Sequence, residues 1–261
     1  MRHRDPLTRR QLLARVALGG AALGVAGCDR LSNATGSRSL LEAAEGLTRA
    51  AQRALLAPRG ALAPEYGPAD ISAGFKPNGS VDPDDPDYVK ARDEHFVDWK
   101  LEVAGLVDKP LLLSLADLRQ LPARTQITRH DCVEGWSCIG KWKGALLGPL
   151  LSRAGLQSSA RYIAFHCADT LEQTLDGTGR YYETIDLVDA FHPQTILAYD
   201  MNDNPLPVAH GAPLRLRVER QLGYKMAKYV MRLEAIESFD KMGRGRGGFW
   251  EDRGYEWYAG I

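Results

Sequence analysis

The chain has 261 residues, 33 of them Lys or Arg against 33 Asp or Glu, and 44% hydrophobic residues. That balance leaves no net field to draw in nucleic acid or an anionic surface, and the apolar content is that of a globular core. Beyond the N-terminal region no run is long or apolar enough to span a bilayer, which takes ~20 residues.

Arg9 and Arg10 stand together in Thr8-Arg9-Arg10-Gln11-Leu12-Leu13, ahead of a Gly/Ala-rich apolar run from Val16 to Ala26. Paired arginines before a mild hydrophobic region read as a twin-arginine export signal, a route for proteins that are already folded. Small residues precede Cys28 in Val25-Ala26-Gly27-Cys28, so Cys28 reads as the acylated N-terminus of a lipoprotein. A single-pass anchor is the alternative, against which the glycines and the short length both argue. Residues 1–28 are thus read as a signal, and the mature chain is expected in the periplasm, exported by the twin-arginine route and lipid-anchored at Cys28. Removal of the signal leaves about 230 residues, enough for one large domain or two small ones.

Across 29–63, Leu40, Leu41, Ala44, Leu47, Ala51, Leu55 and Leu56 recur at helical spacing, which predicts an amphipathic helix on a tether. A Pro/Gly/Asp/Asn loop then runs from Pro64 to Pro86 and holds Phe75-Lys76-Pro77-Asn78-Gly79. Loops above ~12–15 residues in a compact domain are commonly functional. The domain itself is read as 64–261. Alternation predicts strands at Trp99–Val103, Ala123–His130, Leu214–Val218 and Tyr229–Leu233, with further strands at Tyr162–Cys167 and Thr195–Tyr199. Ser114 caps a short helix Leu115–Arg119, Trp142-Lys143-Gly144 turns into a helix Leu146–Ala154 stopped by Gly155, and Tyr182–Ala190 reads as another short helix. Asn202-Asp203-Asn204-Pro205 is a turn. Gly243 to Gly248 reads as a flexible joint, and the aromatic tail from Phe249 to Tyr258 as packing back onto the body. Short strands with interspersed helices and no regular βαβ alternation point to a mixed α+β domain.

With Cys28 lipidated, Cys132, Cys138 and Cys167 remain. An odd number in an oxidising compartment leaves one thiol unpaired or protected by something bound to it. A Cys138–Cys167 disulfide stays open at this point. Cys132 ends a predicted strand among Arg129, His130 and Glu134. Nearby cations favour the thiolate, which attacks electrophiles or binds soft metals. On spacing alone a buried, inert cysteine stands equal to that reading. The spacing from Cys132 to Cys138 fits neither zinc sites nor thioredoxin-like pairs.

The string Cys132-Val133-Glu134-Gly135-Trp136-Ser137, followed by Trp142-Lys143-Gly144 and a leucine-rich helix, resembles the molybdopterin-binding domain of the sulfite oxidase superfamily. Within it the likeness is to the methionine-sulfoxide reductase branch, and it runs from about Asp98 to Ser238. The resemblance implies the sulfite-oxidase-type α+β fold and one molybdenum on a single molybdopterin, with the Cys132 thiolate as the protein ligand. Ile163-Ala164-Phe165-His166-Cys167 is similar to a family strand whose last residue touches the pterin, a threonine in the reductases; a plain core thiol is the equal alternative for Cys167. His210-Gly211-Ala212-Pro213-Leu214-Arg215 resembles Asn-Gly-Ala-Pro-x-Arg, with His210 in place of asparagine. Arg215 would then clamp the cofactor phosphate with its planar fork. Gly223 to Lys228 resembles Gly-Phe-Lys-x-x-Lys, which makes Met226, Ala227 and Lys228 cofactor contacts, and Asn78 is the candidate N-terminal one. For Arg215 and Lys228 the bland alternative is a solvated strand charge. Glu134 is expected to orient the metal site from outside the ligand set, and Arg129, the cation nearest in sequence, joins Cys132 and Glu134 as a candidate catalytic residue.

The implied activity is two-electron oxygen-atom transfer, with cofactor chemistry positioned by the protein. The likeness favours reduction of a small or protein-bound S-oxide or N-oxide. No Cys-x-x-Cys-His haem motif is present, so electrons are expected from a membrane cytochrome or quinone-linked partner, kept close by the lipid anchor. The chain ends soon after the domain, without the Ig-like dimerisation domain of true sulfite oxidases, and a monomer is expected. Sulfite oxidation is the rival within the fold, but it uses an arginine-rich pocket and only Arg129 lies near Cys132 in sequence. Outside this chemistry, the chain could be a non-catalytic binding lipoprotein or a thiol–disulfide enzyme using Cys132 and Cys138.

Overall fold

Two β-sheets, closed over one main apolar cluster, carry the residues singled out above. The computed structural model describes residues 44, 46–48, 50, 51, 61–177 and 179–261. The export signal, Cys28 and most of the tether lie outside the described residues. The chain divides between Pro58 and Arg59. Of the first unit, the described Ala44, Leu47 and Ala51 are helical, as their spacing predicts. Among the described residues no helix is long and apolar enough to cross a membrane.

In chain order the second unit contains α1 (Pro86–Asp93), β1 (Lys100–Gly105), β2 (Leu111–Ser114), α2 (Leu115–Gln120), β3 (Ala123–Cys132) and β4 (Trp136–Leu146). Then come α3 (Leu147–Ala154), β5 (Tyr162–Thr170), β6 (Arg180–Asp186), α4 (Leu187–Ala190), β7 (Ile196–Met201), β8 (Asn204–Pro205), β9 (Arg215–Arg217) and β10 (Val230–Ile236). The first sheet has the order β2-β1-β10-β5-β6, with β1 and β10 parallel and the other pairs antiparallel. The second runs β3-β4-β7-β8, and β9 also pairs with β7. The α+β reading holds.

Local chemistry sets the helix ends. The Asp85 carboxylate accepts from Tyr88 N–H ahead of Pro86 in α1, Ser114 and Asp117 form a capping box on α2, and Gly155 ends α3 at φ +70°. The apolar cluster draws Leu101 and Val103 from β1, Phe165 from β5, Leu197 from β7, Leu150 from α3 and Leu233 from β10. Burial of each such side chain stabilises the fold by ~1.5–3 kcal/mol. A smaller cluster gathers around fully buried Trp142.

Three stretches differ from expectation. Tyr182–Ala190 is not a helix: β6 occupies 180–186 and only Leu187–Ala190 is helical. Positions 181–185 are all buried, so the strand lacks the alternation that would have identified it. Trp142–Gly144 is not a turn but part of β4, which runs straight into α3. Gly144 is there because β7 passes too close for a side chain; a Cβ would lie 2.2 Å from Leu197 O. Helix α1, inside what reads as loop and linker, buries only Tyr88 and so has no apolar stripe to betray it. The Gly243–Gly248 joint is pinned by the Asp252 carboxylate, which accepts from the backbone N–H groups of Arg244 and Arg246 at 2.8 and 3.1 Å. Beyond it the aromatic tail packs onto the body, with Phe249 fully buried.

Candidate cofactor site

The site starts from the period-two pattern of β3. Gln126, Thr128, His130 and Cys132 are buried on one face, and Arg129 points the other way. Cys132 faces Trp136 across the turn Val133-Glu134-Gly135, and Gly135 adopts φ +87°. A left-handed last residue is what a three-residue hairpin loop requires. The thiol therefore sits at a hairpin tip, with 9% of the residue's surface exposed. Burial pushes this thiol up from its ordinary range, against a backbone hydrogen bond at Glu134 and the charges of Lys76 and Arg215.

Cys132 opens into a cleft of about 110 Å³, lined from separated segments by Asn78, Asp169, Tyr181, Met226, Lys228 and Trp250 among others. Behind Asn78 lies Arg215, fully buried, whose Nη groups donate to Asn78 Oδ1 and His210 O, each at 3.2 Å. Lys228 Nζ donates to Ser80 O, to Ala209 O at 3.0 Å and to Tyr229 Oη at 3.3 Å. Among the described residues neither cation forms an ion pair with a carboxylate. Burial and Arg217 pull Arg215 down to about 9, and burial and Arg215 pull Lys228 down to about 7. Burial, then Arg215 and Lys228, take His210 to about 4. Buried cations without counter-ions are costly.

The structure thus brings together Asn78, Cys132, Glu134, Met226 and Lys228 at the cleft, with Arg215 and His210 directly behind. Ala227 is core, its carbonyl accepting from Leu216 N–H. Arg129 is not part of the cleft; it pairs with Asp131 at 2.9 Å on the outer face of β3. Cys167 is not part of it either: its side chain is buried in the main cluster, where burial holds the thiol well above its ordinary range. Glu134 is exposed, its carboxylate held low by the Trp136 indole N–H and by Lys76. Cys132, Cys138 and Cys167 are all free, so no Cys138–Cys167 disulfide forms.

Two further groups lie at or beside the site and are not among the residues expected to form it. Asp169 lines the cleft; its Oδ2 accepts from Ser80 Oγ at 2.7 Å, its Oδ1 has no partner, and burial raises its carboxyl to about 6. His130 accepts at Nδ1 from Arg217 at 3.1 Å and touches Met226 Sδ at 3.3 Å, leaving buried Nε2 without a partner. Burial, then Arg215 and Arg217, hold this ring neutral. Arg217 itself is neutralised by Glu219 at 2.6 Å, with both side chains fully buried. Alternation along β3 would have placed His130 on the Cys132 face; nothing comparable marks Asp169.

The Cys132 thiol, Lys228 and the unpartnered Oδ1 of Asp169 line the cleft, and Arg215 and His210, each with an unpartnered nitrogen, lie behind it, a set suited to an anionic, hydrogen-bonding group. Residues 88–242 match the family described as oxidoreductase molybdopterin binding domain. A protein of Azospira oryzae, provisionally described as protein-methionine-sulfoxide reductase subunit YedZ1, is 35% identical over 255 residues, 98% of this chain and 88% of its own length. The protein-methionine-sulfoxide reductase catalytic subunit MsrP of Xanthomonas campestris is 37% identical over 145 residues, 53% of this chain and 45% of that protein. Its counterpart in Campylobacter jejuni is 34% identical, over 52% of this chain and 48% of its own. The chain thus spans about half the length of these two relatives. Among solved structures, the sulfane dehydrogenase SoxCD from Paracoccus pantotrophus aligns at a TM-score of 0.47 and 23% identity, covering 54% of this chain and 39% of that one. The chain belongs to the molybdopterin-binding oxidoreductases of the sulfite oxidase superfamily. It is an oxidoreductase. The matched span takes in Cys132, Arg215 and Lys228 and leaves out Asn78 and the aromatic tail.

Proposed function

We propose that this enzyme reduces S-oxides or N-oxides, small or carried on proteins, with electrons from a membrane cytochrome or quinone-linked partner. The observation that carries this reading is the charge of the cleft around Cys132. Its lining holds two carboxylates, Glu134 and Asp169, and only one cation, Lys228. A sulfite dianion would find no counter-charge left once the cofactor phosphate has taken Lys228, whereas a neutral oxide needs none. The relatives named as methionine-sulfoxide reductases point the same way. In balance, one oxide, two electrons and two protons give the sulfide or amine and one water.

When bound, the cofactor supplies a molybdenum centre able to exchange two electrons and an oxygen atom with substrate. Cys132 would be the protein's ligand to that metal, beside the sulfurs of the pterin. The Cys132 thiol, raised by burial, would have to lose its proton to ligate the metal, for which a soft thiolate is suited. Arg215 and Lys228 would hold the phosphate, with Asn78 accepting from the Arg215 fork. Asp169, with its Oδ1 unpartnered, would accept from N–H groups of the cofactor. Glu134, ionised and paired with Lys76 and Trp136, would orient the metal site from outside the ligand set. Export of the folded chain by the Arg9-Arg10 signal and acylation at Cys28 would place it beside its electron donor as a lipid-anchored monomer in the periplasm.

The test is protein purified from a molybdenum-replete host and assayed for reoxidation of a reduced viologen with dimethyl sulfoxide, trimethylamine N-oxide and, in the oxidising direction, sulfite. Near-stoichiometric molybdenum and turnover of an oxide are expected, both lost in Cys132→Ser. Sulfite oxidation without oxide reduction would overturn the direction. Turnover that survives molybdenum depletion and needs Cys138 would make it a thiol enzyme.

A further inference from the structure

We infer that the C-terminal aromatic segment determines which oxides are accepted, with Trp250 and Tyr255 forming a wall for an apolar group carried beside the reducible bond. This rests on the reduction proposed above. Both residues line the cleft that holds Cys132. Their rings stack with centroids 5.3 Å apart and planes at 27°. Phe249 meets Trp250 edge-on at 5.2 Å, and Tyr224 does the same to Tyr255. The chain continues the apolar surface with Val133 and Leu171 across the same cleft.

The wall is held rigidly. Next to Trp250 in sequence, Glu251 grips Lys225 at 2.5 Å, as does Glu183, and all three side chains are buried. Burial pulls Lys225 down, but the two carboxylates outweigh it and keep the ammonium charged. Asp252 accepts from Tyr182 Oη at 2.8 Å, and Tyr224 Oη donates to Glu256 O at 2.7 Å. Arg253 Nε donates to Glu172 at 2.8 Å, next to Leu171. Lys225 shares its loop with Met226 and Lys228, so the wall is fastened to the loop proposed to hold the cofactor. A preformed surface of this kind loses little freedom on binding. Its residues also lie outside the family span 88–242, so the shared domain does not account for them.

An aromatic pair attracts methyl, thioether and aryl groups by dispersion and sulfur–ring contact and gives a charged oxyanion nothing. Methyl phenyl sulfoxide should therefore be a better substrate than dimethyl sulfoxide. The experiment compares kcat/KM for the two in molybdenum-loaded enzyme with reduced viologen. Trp250→Ala and, separately, Tyr255→Ala should each cut the aryl-to-methyl ratio about tenfold, mostly through KM, at parental molybdenum content, and Trp250→Phe should restore most of it. An unchanged ratio overturns the inference, as does loss of molybdenum with the ratio intact, since the segment would then only support the cofactor. Binding of methyl phenyl sulfoxide to the oxidised enzyme, read by calorimetry, needs no turnover. About tenfold weaker binding in Trp250→Ala supports the wall, and equal binding overturns it. A parent enzyme that binds but never reduces this compound overturns the reduction alone.

Discussion

Cofactor-free protein should become more stable as the pH rises from about 7 to 9, because Lys228 is held in the fold without a counter-ion. In the unfolded chain this lysine has its ordinary value of 10.5; in the fold, burial and Arg215 pull it to about 7. Between those values the unfolded chain binds a proton that the folded chain releases, so stability rises with pH, and below the folded value the penalty is fully present. At about 1.4 kcal/mol for each tenfold change in proton affinity, the gain from pH 7 to 9 is roughly 2 kcal/mol. For a chain of this size that corresponds to a rise in Tm of about 4–8 °C. Neighbouring groups act outside this window. Asp169, raised to about 6, and His210, lowered to about 4, titrate below it, and Arg215, lowered to about 9, adds in the same direction above it. Cys132, raised from 9, opposes only at higher pH. Melts at three pH values, on protein from a host unable to make the pterin, measure the slope, and Lys228→Met supplies the reference without it. Loaded enzyme should lose the slope, since the bound phosphate neutralises the ammonium. Equal slopes in the parent and Lys228→Met would refute the reasoning.

Gly223→Ala should lower both Tm and cofactor content, because its Cβ would lie 2.4 Å from two atoms of the His130 ring, which Arg217 and Met226 hold in place. Overpacking of this kind costs ~1–3 kcal/mol; normal melting and loading would show that the loop adjusts freely. Glu219→Gln should destabilise by about 3–5 kcal/mol in denaturant melts by leaving buried Arg217 unpaired, and Arg217→Met with Glu219→Leu should recover most of it. Strict additivity of the two single changes would argue against coupling. Lysines at Arg9 and Arg10 should leave precursor in the cytoplasm on fractionation, whereas undiminished delivery would mean the signal has been misread.

How far the site is legible in the sequence depends on whether a residue's position follows from local spacing. Cys132 at the tip of β3 and the Ser114 cap of α2 follow from alternation and capping chemistry. Proximity along the chain suggests Arg129 for the site, but the same alternation sends it to the outer face, and the period of the strand prevails. The meeting of Asn78 with Arg215 spans 137 positions and follows from resemblance, not from any physical pattern along the chain. Asp169 cannot be found by counting from Cys167, because the pairing of β5 with β6 shifts register between His166 and Thr170. A bulge there breaks the rule that every second residue shares a face. The aromatic composition of the tail points to packing, which is correct for Phe249 and incomplete for Trp250 and Tyr255. Its anchor, the buried triad of Lys225, Glu183 and Glu251, joins three distant segments that no local pattern connects.

The same charges tie loading to folding. Asn78, Cys132, Asp169, Lys228 and Trp250 meet only in the folded chain, so an unfolded chain has no site for the cofactor. Once folded but empty, the chain carries Arg215 and Lys228 as uncompensated buried cations. An anion that binds the folded form alone stabilises it by mass action and removes that penalty as well. Loading should therefore come with folding, where the pterin is made. A chain exported unfolded would have to complete both steps where no cofactor is supplied. The twin-arginine reading of Arg9 and Arg10 and the uncompensated charges of Lys228 and Arg215 would thus fit one order of events: fold, load, then cross the membrane.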